Sequence, residues 1–229
     1  MTEQWQGLPA ERFAKYRRWI NREEPGICGS YVTAVLVHDR VFEDTGRNLD
    51  KDLLLGASQE LVDDNHLHKG TFIWNIYSGL DSLLGPQGYR VRLGLFPEVH
   101  VPELMQAGYG PFVLGTAGLL GSPYGNHWLL AYAYRYNDQG DLEFRCYDNH
   151  GKSQAILPAK YGFTYAYLEP LPEPLDSLEE EDQNNKGEAD EAVRFHRNSY
   201  RQEALDQAEE AEGRTVFGKS LNDILDLFI

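Results

Sequence analysis

Apolar positions along the chain follow two rhythms, a helical one in the first half and an alternating one in the second. Arg12 to Asn21 predicts an N-terminal helix. Cys28 to His38 (CGSYVTAVLVH), opened by Pro25-Gly26, is apolar almost all round and predicts a buried helix. Thr71 to Leu84 predicts another, ended by Gly85-Pro86, and Val101 to Ala107 a short one closed by Gly108. Tyr89 to Leu93 alternates as a short strand, and Pro111 to Thr116 reads as a strand. A meander follows: strands over Trp128 to Tyr136, Leu142 to Tyr147 and Phe163 to Leu168, the first two joined by an Asn137–Gly140 turn. Helices first and antiparallel strands later make an α+β domain.

The pattern changes near residue 173. EPLPEPLDS is a Pro-punctuated exit from a core, and EEEDQNNKGEADE is too polar and like-charged to bury anything. Beyond it, Glu188 to Gly213 holds good helix formers, and Leu221, Ile224, Leu225 and Phe228 recur at helical spacing. The expectation is a folded domain over 1–173 and an acidic linker with a helical tail over 174–229.

Charge sharpens that division. The chain carries a net charge of −15, and the residues from Asp176 onward hold 15 acids against 6 bases, or −9 of it. So acidic a protein is a poor match for phosphate backbones, which excludes nucleic acid as the main partner. No apolar run reaches the length of a membrane span, and the first residues lack the apolar stretch of a secretory signal, so a cytoplasmic location without membrane attachment is expected. Two cysteines in 229 residues are too few for a disulfide framework, so the question is whether either thiol is reactive.

Three segments carry candidate chemistry. In PGICGSYVTAVLV, Cys28 stands at the first turn of an apolar helix, where unpaired N–H groups and the helix dipole favour a thiolate and can hold an oxyanion. Gly29 leaves room there for a substrate chain. The same position also suits a small packing thiol. In GNHWLLAYAYRY, His127 stands where a Gly-rich loop enters a strand, a place that fixes a base from below and leaves space above it; a structural histidine fits as well. In EFRCYDNHGK, Asp148 precedes a turn and could simply form it. However, the hairpin centred on 137–140 returns this strand end to the level of His127, where a carboxylate can fix the imidazole tautomer.

With Cys28, His127 and Asp148 in that order, the chain resembles a C39-like member of the papain-fold cysteine peptidases. CGSYVTAVLV is similar to the family's Cys-Gly and apolar helix, VPELMQAGYGPFVLGTAG to its short helix entering a central strand, NHWLLAYAY to its His strand, and CYDNHG to its Asp segment. The pattern covers about residues 20–168. The resemblance implies a central nucleophile helix packed on an antiparallel sheet. It also implies a thiol-dependent peptidase without a cofactor, with Cys28 as nucleophile, His127 as base and Asp148 as orienter, acting on a peptide or protein. Where the family usually carries an oxyanion Gln, this chain has INREEPG, which leaves Asn21 as the nearby amide. Asn149 replaces the usual Pro after the Asp and is a further candidate for the third member.

Other signals carry less. His66 and His68 in DDNHLH, with Asp63 or Asp64, read as a solvated polar loop in preference to a metal site, so no metal is expected. Glycines 115, 118, 121 and 125 lack a following GK[ST] and read as a loop free to move over a cleft. The strand tyrosines (132, 134, 136, 165, 167) could line a binding surface but are also ordinary strand formers. Cys146, inside a strand, reads as a packing thiol. The ending LDLF (Leu225, Leu227, Phe228) offers a docking peptide for a protein partner. A non-catalytic interaction or inhibitor protein working through its acidic tail is therefore the alternative reading.

Overall fold

The computed structural model describes residues 4–22, 26–63 and 70–171. The expectations for the tail, the docking peptide and the His66/His68 pair lie outside them. The chain divides into Met1–Leu171 and Pro172–Ile229, and the described residues all belong to the first unit.

Among the described residues there are five α-helices and seven strands, every strand pair antiparallel. The helices are α1 (Ala10–Phe13), α2 (Cys28–Thr45), α3 (Lys51–Val62), α4 (Ile73–Leu84) and α5 (Pro97–Gln106). The strands are β1 (Gln6–Gly7), β2 (Tyr89–Leu95), β3 (Phe112–Thr116), β4 (His127–Tyr136), β5 (Leu142–Asp148), β6 (Lys152–Pro158) and β7 (Gly162–Pro170), in the order β2-β7-β3-β4-β5-β6, with β1 also on β4. The α+β expectation holds. No described helix is long and apolar enough to cross a membrane.

Each helix stops and starts for a local reason. α2 ends where Gly46 takes the left-handed conformation (φ 69°) and returns its N–H to Phe42 O. Asp50 caps α3 by accepting from the N–H groups of Asp52 and Leu53 at 3.0 and 2.9 Å. The Asn75 side chain accepts from Phe72 N at 2.9 Å to begin α4.

Alternation along the strands gives the sheet two apolar faces. Val32, Val35 and Leu36 of α2 and Ile76 and Leu80 of α4 pack on Val113, Leu130, Tyr132 and Tyr147. On the other face Val101 and Met105 of α5 lie with Leu114, Leu129, Phe144, Leu157 and Tyr165. Tyr132, Tyr134 and Tyr165 are thus core residues.

Several sequence expectations are corrected. Arg12 to Asn21 is not one helix: α1 passes into a 3-10 segment over Ala14–Arg18. Phe13, Tyr16 and Trp19 recur every third residue and are all buried, a spacing that the three-residue turn aligns on one side. The apolar pattern does not mark α3 or β6. The buried positions of α3, Leu54, Leu55, Ser58 and Val62, are diluted by an exposed Leu53 and a glycine, and β6 is an edge strand with an exposed Ile156.

The N-terminal segment is held against α2 by polar contacts buried under aromatic rings. Arg12 Nε donates to both oxygens of the fully buried Asp39 at 3.0 and 3.1 Å, and Nη2 to Oδ2 at 2.6 Å. His38 Nε2 donates to Asn48 Oδ1 at 2.8 Å, so its Nδ1 accepts from Tyr16 Oη, also at 2.8 Å. Phe13 stacks on Tyr132 with centroids 4.1 Å apart. Removing the guanidinium strands a charge with no access to water. Arg12→Ala is therefore expected to cost about 3–5 kcal/mol in urea unfolding, and adding Asp39→Asn to recover part of that loss.

Candidate functional site

The sheet order brings three chain segments to one end of the molecule. Cys28 is the first residue of α2, half-buried, with a free thiol. His127 is the first residue of β4 and Asp148 the last of β5. Leu130 pairs with Tyr147 and Ala131 with Cys146; carried back one step, this register sets Asp148 opposite Leu129, diagonal to His127 on the same side of the sheet. The hairpin expectation is met.

The contacts follow from that placement. His127 Nε2 lies 3.3 Å from Asp148 Oδ1 and donates to it, and the Cys28 side chain interacts with the same imidazole. His127 is 7% exposed and Asp148 2%. Tyr124 stacks on the His127 ring at 5.6 Å and His150 at 4.5 Å, which limits its rotation. Asp148 also forms the turn: its Oδ1 accepts from His150 N at 2.9 Å. The turn-former and imidazole-partner readings of Asp148 are both realised.

Burial alone would lower the His127 pKa. The hydrogen bonds with Asp148 and Cys28, and the negative charge those partners bring, outweigh it and raise the pKa to about 9. For Asp148, burial pushes the pKa up, but the His127 and His150 N–H hydrogen bonds and the nearby imidazoles hold it below the ordinary carboxylate value. Burial pushes the Cys146 thiol well up, with Asp148 adding to the effect, so the second cysteine is a packing residue.

Asn149 is fully buried, and its Nδ2 donates to Cys28 O at 3.3 Å. Its amide therefore braces the start of α2, and Asp148 takes the place beside His127. Asn149 O in turn accepts from Asn21 N at 2.9 Å, tying the segment before Cys28 to the turn after Asp148.

Two readings need correction. The space beside Gly29 is not open to a ligand: a Cβ there would collide with Thr71, so the glycine serves close packing. Nor is the stretch from Gly115 uniformly loose. Gly115 lies in β3 against Trp128 and Thr164, Thr116 Oγ1 donates to Gly125 O at 2.9 Å, and Gly118 N to Asn126 Oδ1 at 2.8 Å.

Asp63 was missed as a structural residue. It ends α3, and its carboxylate accepts from the hydroxyls of Ser30 and Thr71 and from the Ser30 backbone N–H. Ile27, at the N-cap of α2, offers no side-chain cap, and the first turn has no acid, so a carboxylate from another helix satisfies a donor there. Thr71 O accepts from Trp128 Nε1 at 2.9 Å, which links this group to the residue after His127. Burial raises the Asp63 pKa while its hydrogen bonds oppose the rise. The available signal was an uncapped helix start with an Asp ending the next helix, and pairing the two needed the fold.

His127, Asp148 and His150 place one potential ligand atom each within 4.8 Å of one another. No family model matches the chain, and no curated protein matches it.

Two outcomes follow from these contacts. Asp63→Ala leaves Ser30 and Thr71 without their acceptor and is expected to lower stability by about 1–3 kcal/mol in urea unfolding, with Asp63→Asn costing less. The folded pKa of His127 lies above its unfolded value near 6.5, so its interactions stabilise the fold fully below about pH 6.5, and that stability is lost as pH rises through about 9. NMR titration should place the imidazole midpoint near 9, and Cys28→Ala should lower it. An unmoved midpoint in that variant would separate the two groups.

Proposed function

We propose that this chain is a thiol-dependent amide hydrolase of papain-like fold, with Cys28 as nucleophile, His127 as base and then acid, and Asp148 as the group that orients His127. The observation that carries this reading is a helix-start cysteine beside an imidazole whose other nitrogen is held by a buried carboxylate. The helical layer on one face of the antiparallel sheet, with α2 central to it, supports the papain-like assignment.

The chemistry follows from the donors present. His127 Nδ1 takes the thiol proton, and Cys28 Sγ attacks the amide carbonyl carbon, forming the C–S bond. The carbonyl oxygen becomes an oxyanion facing the N–H groups that open α2. The imidazolium returns its proton to the amine nitrogen as the C–N bond breaks. Water, deprotonated by the now neutral His127, attacks the thioester and releases the acid and the thiol. Asp148 keeps the proton on Nε2 throughout and stabilises the imidazolium. Asn21 is proposed as a second oxyanion donor, since its segment is joined to Asn149, which braces Cys28. A peptide or protein is the proposed substrate. The interaction-protein reading rests on the missing oxyanion Gln and on the acidic tail, and the tail lies outside the described residues.

The test is the rate of iodoacetamide labelling, in chelator-containing buffer, as a function of pH. Cys28 should react well below pH 8, at least tenfold faster than in His127→Ala, while Cys146 stays unlabelled in the folded protein. Slow labelling that is the same in both proteins would remove the nucleophile assignment. A labelling rate unchanged in Asp148→Ala would remove the orienter.

A further inference from the structure

His150 takes no part in the proposed reaction, yet it adds a second imidazole to the carboxylate oxygen that His127 uses. Its side chain is 56% exposed, and its Nδ1 lies 3.6 Å from Asp148 Oδ1. His127 Nε2 lies 3.3 Å from that same oxygen, and the three donor atoms all fall within 4.8 Å.

The two separations from Asp148 Oδ1 have the dimensions of a coordination edge, and the two imidazole nitrogens lie within 4.8 Å of each other. A zinc ion about 2.0–2.2 Å from nitrogen and oxygen ligands in tetrahedral geometry sets neighbouring donors about 3.4 Å apart. The two distances to Asp148 Oδ1 bracket that value. The donor set, two imidazoles and a carboxylate, suits zinc. Two ligands are buried and held by β4 and β5, and the third stands at the surface on a turn fixed by its own N–H on Asp148. The His127 and Asp148 ligands are thus preformed, while the exposed His150 ring, stacked on His127 at 4.5 Å, turns about its side-chain bonds to bring Nδ1 onto the ion.

We propose that His127 Nε2, Asp148 Oδ1 and His150 Nδ1 form a zinc-binding site that shuts off the thiol chemistry. The inhibitory consequence rests on the reading of Cys28 and His127 above, whereas the binding does not. With zinc on Nε2 the neutral imidazole carries its one proton on Nδ1, the proton formerly given to Asp148 having moved there or to solvent, so Nδ1 has no lone pair left to take the Cys28 proton. Water fills the remaining coordination position, and the thiol is not a ligand.

The experiment measures Zn²⁺ binding to the full chain by competition with a chromophoric chelator, alongside Cys28 labelling with and without Zn²⁺. One ion should bind per chain, with affinity at least tenfold weaker in His150→Ala and in His150→Asn, and retained in Cys28→Ala. Cobalt(II) in the same site should show ligand-field bands without a thiolate charge-transfer band. Zinc should slow labelling of the native chain and lose that effect in the His150 variants. Unchanged affinity in both His150 variants, loss of binding in Cys28→Ala, or loss confined to a His66→Ala, His68→Ala double variant would each overturn the site. Slow, His127-independent labelling in chelator would instead overturn the thiol reading, and zinc binding that still depends on His150 would leave the metal site standing alone.

Discussion

A buried imidazole and a buried carboxylate are each costly in this core, and they are tolerated because they satisfy one another. Asp148, 2% exposed, spends one oxygen on two donors, the Nε2–H of His127 and the backbone N–H of His150. The first bond fixes the imidazole tautomer, and the second fixes the turn that ends β5. The orientation of His127 and the path of the chain after the sheet are therefore set by the same atom. Charge follows geometry: the carboxylate is held below its usual pKa and the imidazole above its own, so Asp148 stabilises the imidazolium that forms when His127 takes a proton.

The other half of the site depends on how α2 begins. A helix start with no side-chain cap and no acid in its first turn leaves N–H groups that must find partners. Asp63 reaches in from the end of α3 for Ser30, while Asn149 reaches from the far side to the Cys28 carbonyl. The Thr71 side chain fills the space beside Gly29 and its backbone carbonyl accepts from Trp128 Nε1, so α2, the start of α4 and the start of β4 meet around one residue. Cys28 stands above a packed, hydrogen-bonded base. That packing is what allows one thiol to be held near one ring nitrogen without a flexible tether.

Much of this is legible in the amino-acid sequence. The β4–β5 hairpin could be counted from the turn at 137–140, because antiparallel pairing is arithmetic once the turn is known, and that count brought Asp148 to the level of His127. The helical run after Cys28 was equally plain, since an all-apolar helix has few other fates. What escaped depended on long-range partners. Asp63 sat in a run of polar residues that read as solvated, and its burial comes from Ser30, 33 positions earlier. Gly29 looked like room for a ligand because the sequence could not show Thr71 occupying it. β6 and α3 were hidden because each shows an apolar residue to solvent, Ile156 and Leu53, which blurs the period that would have marked them.

His150 shows how one added side chain changes the demands on a site. A carboxylate oxygen has room for two donors, and here both positions are taken, one by a ring N–H and one by a backbone N–H. A second imidazole nitrogen at 3.6 Å is too far for a strong hydrogen bond and close enough to share a cation. As a bare dyad, the His127–Asp148 pair can only trade protons. With His150 beside it, the same oxygen becomes the middle of a three-donor face, and protons and zinc compete for Nε2. The two occupants make opposite use of His127: a proton on Nε2 leaves the Nδ1 lone pair free to take the thiol proton, while a metal on Nε2 leaves the ring's one proton on Nδ1, which can then only donate. If the thiol reaction proceeds as proposed, its rate is governed by which of the two is bound.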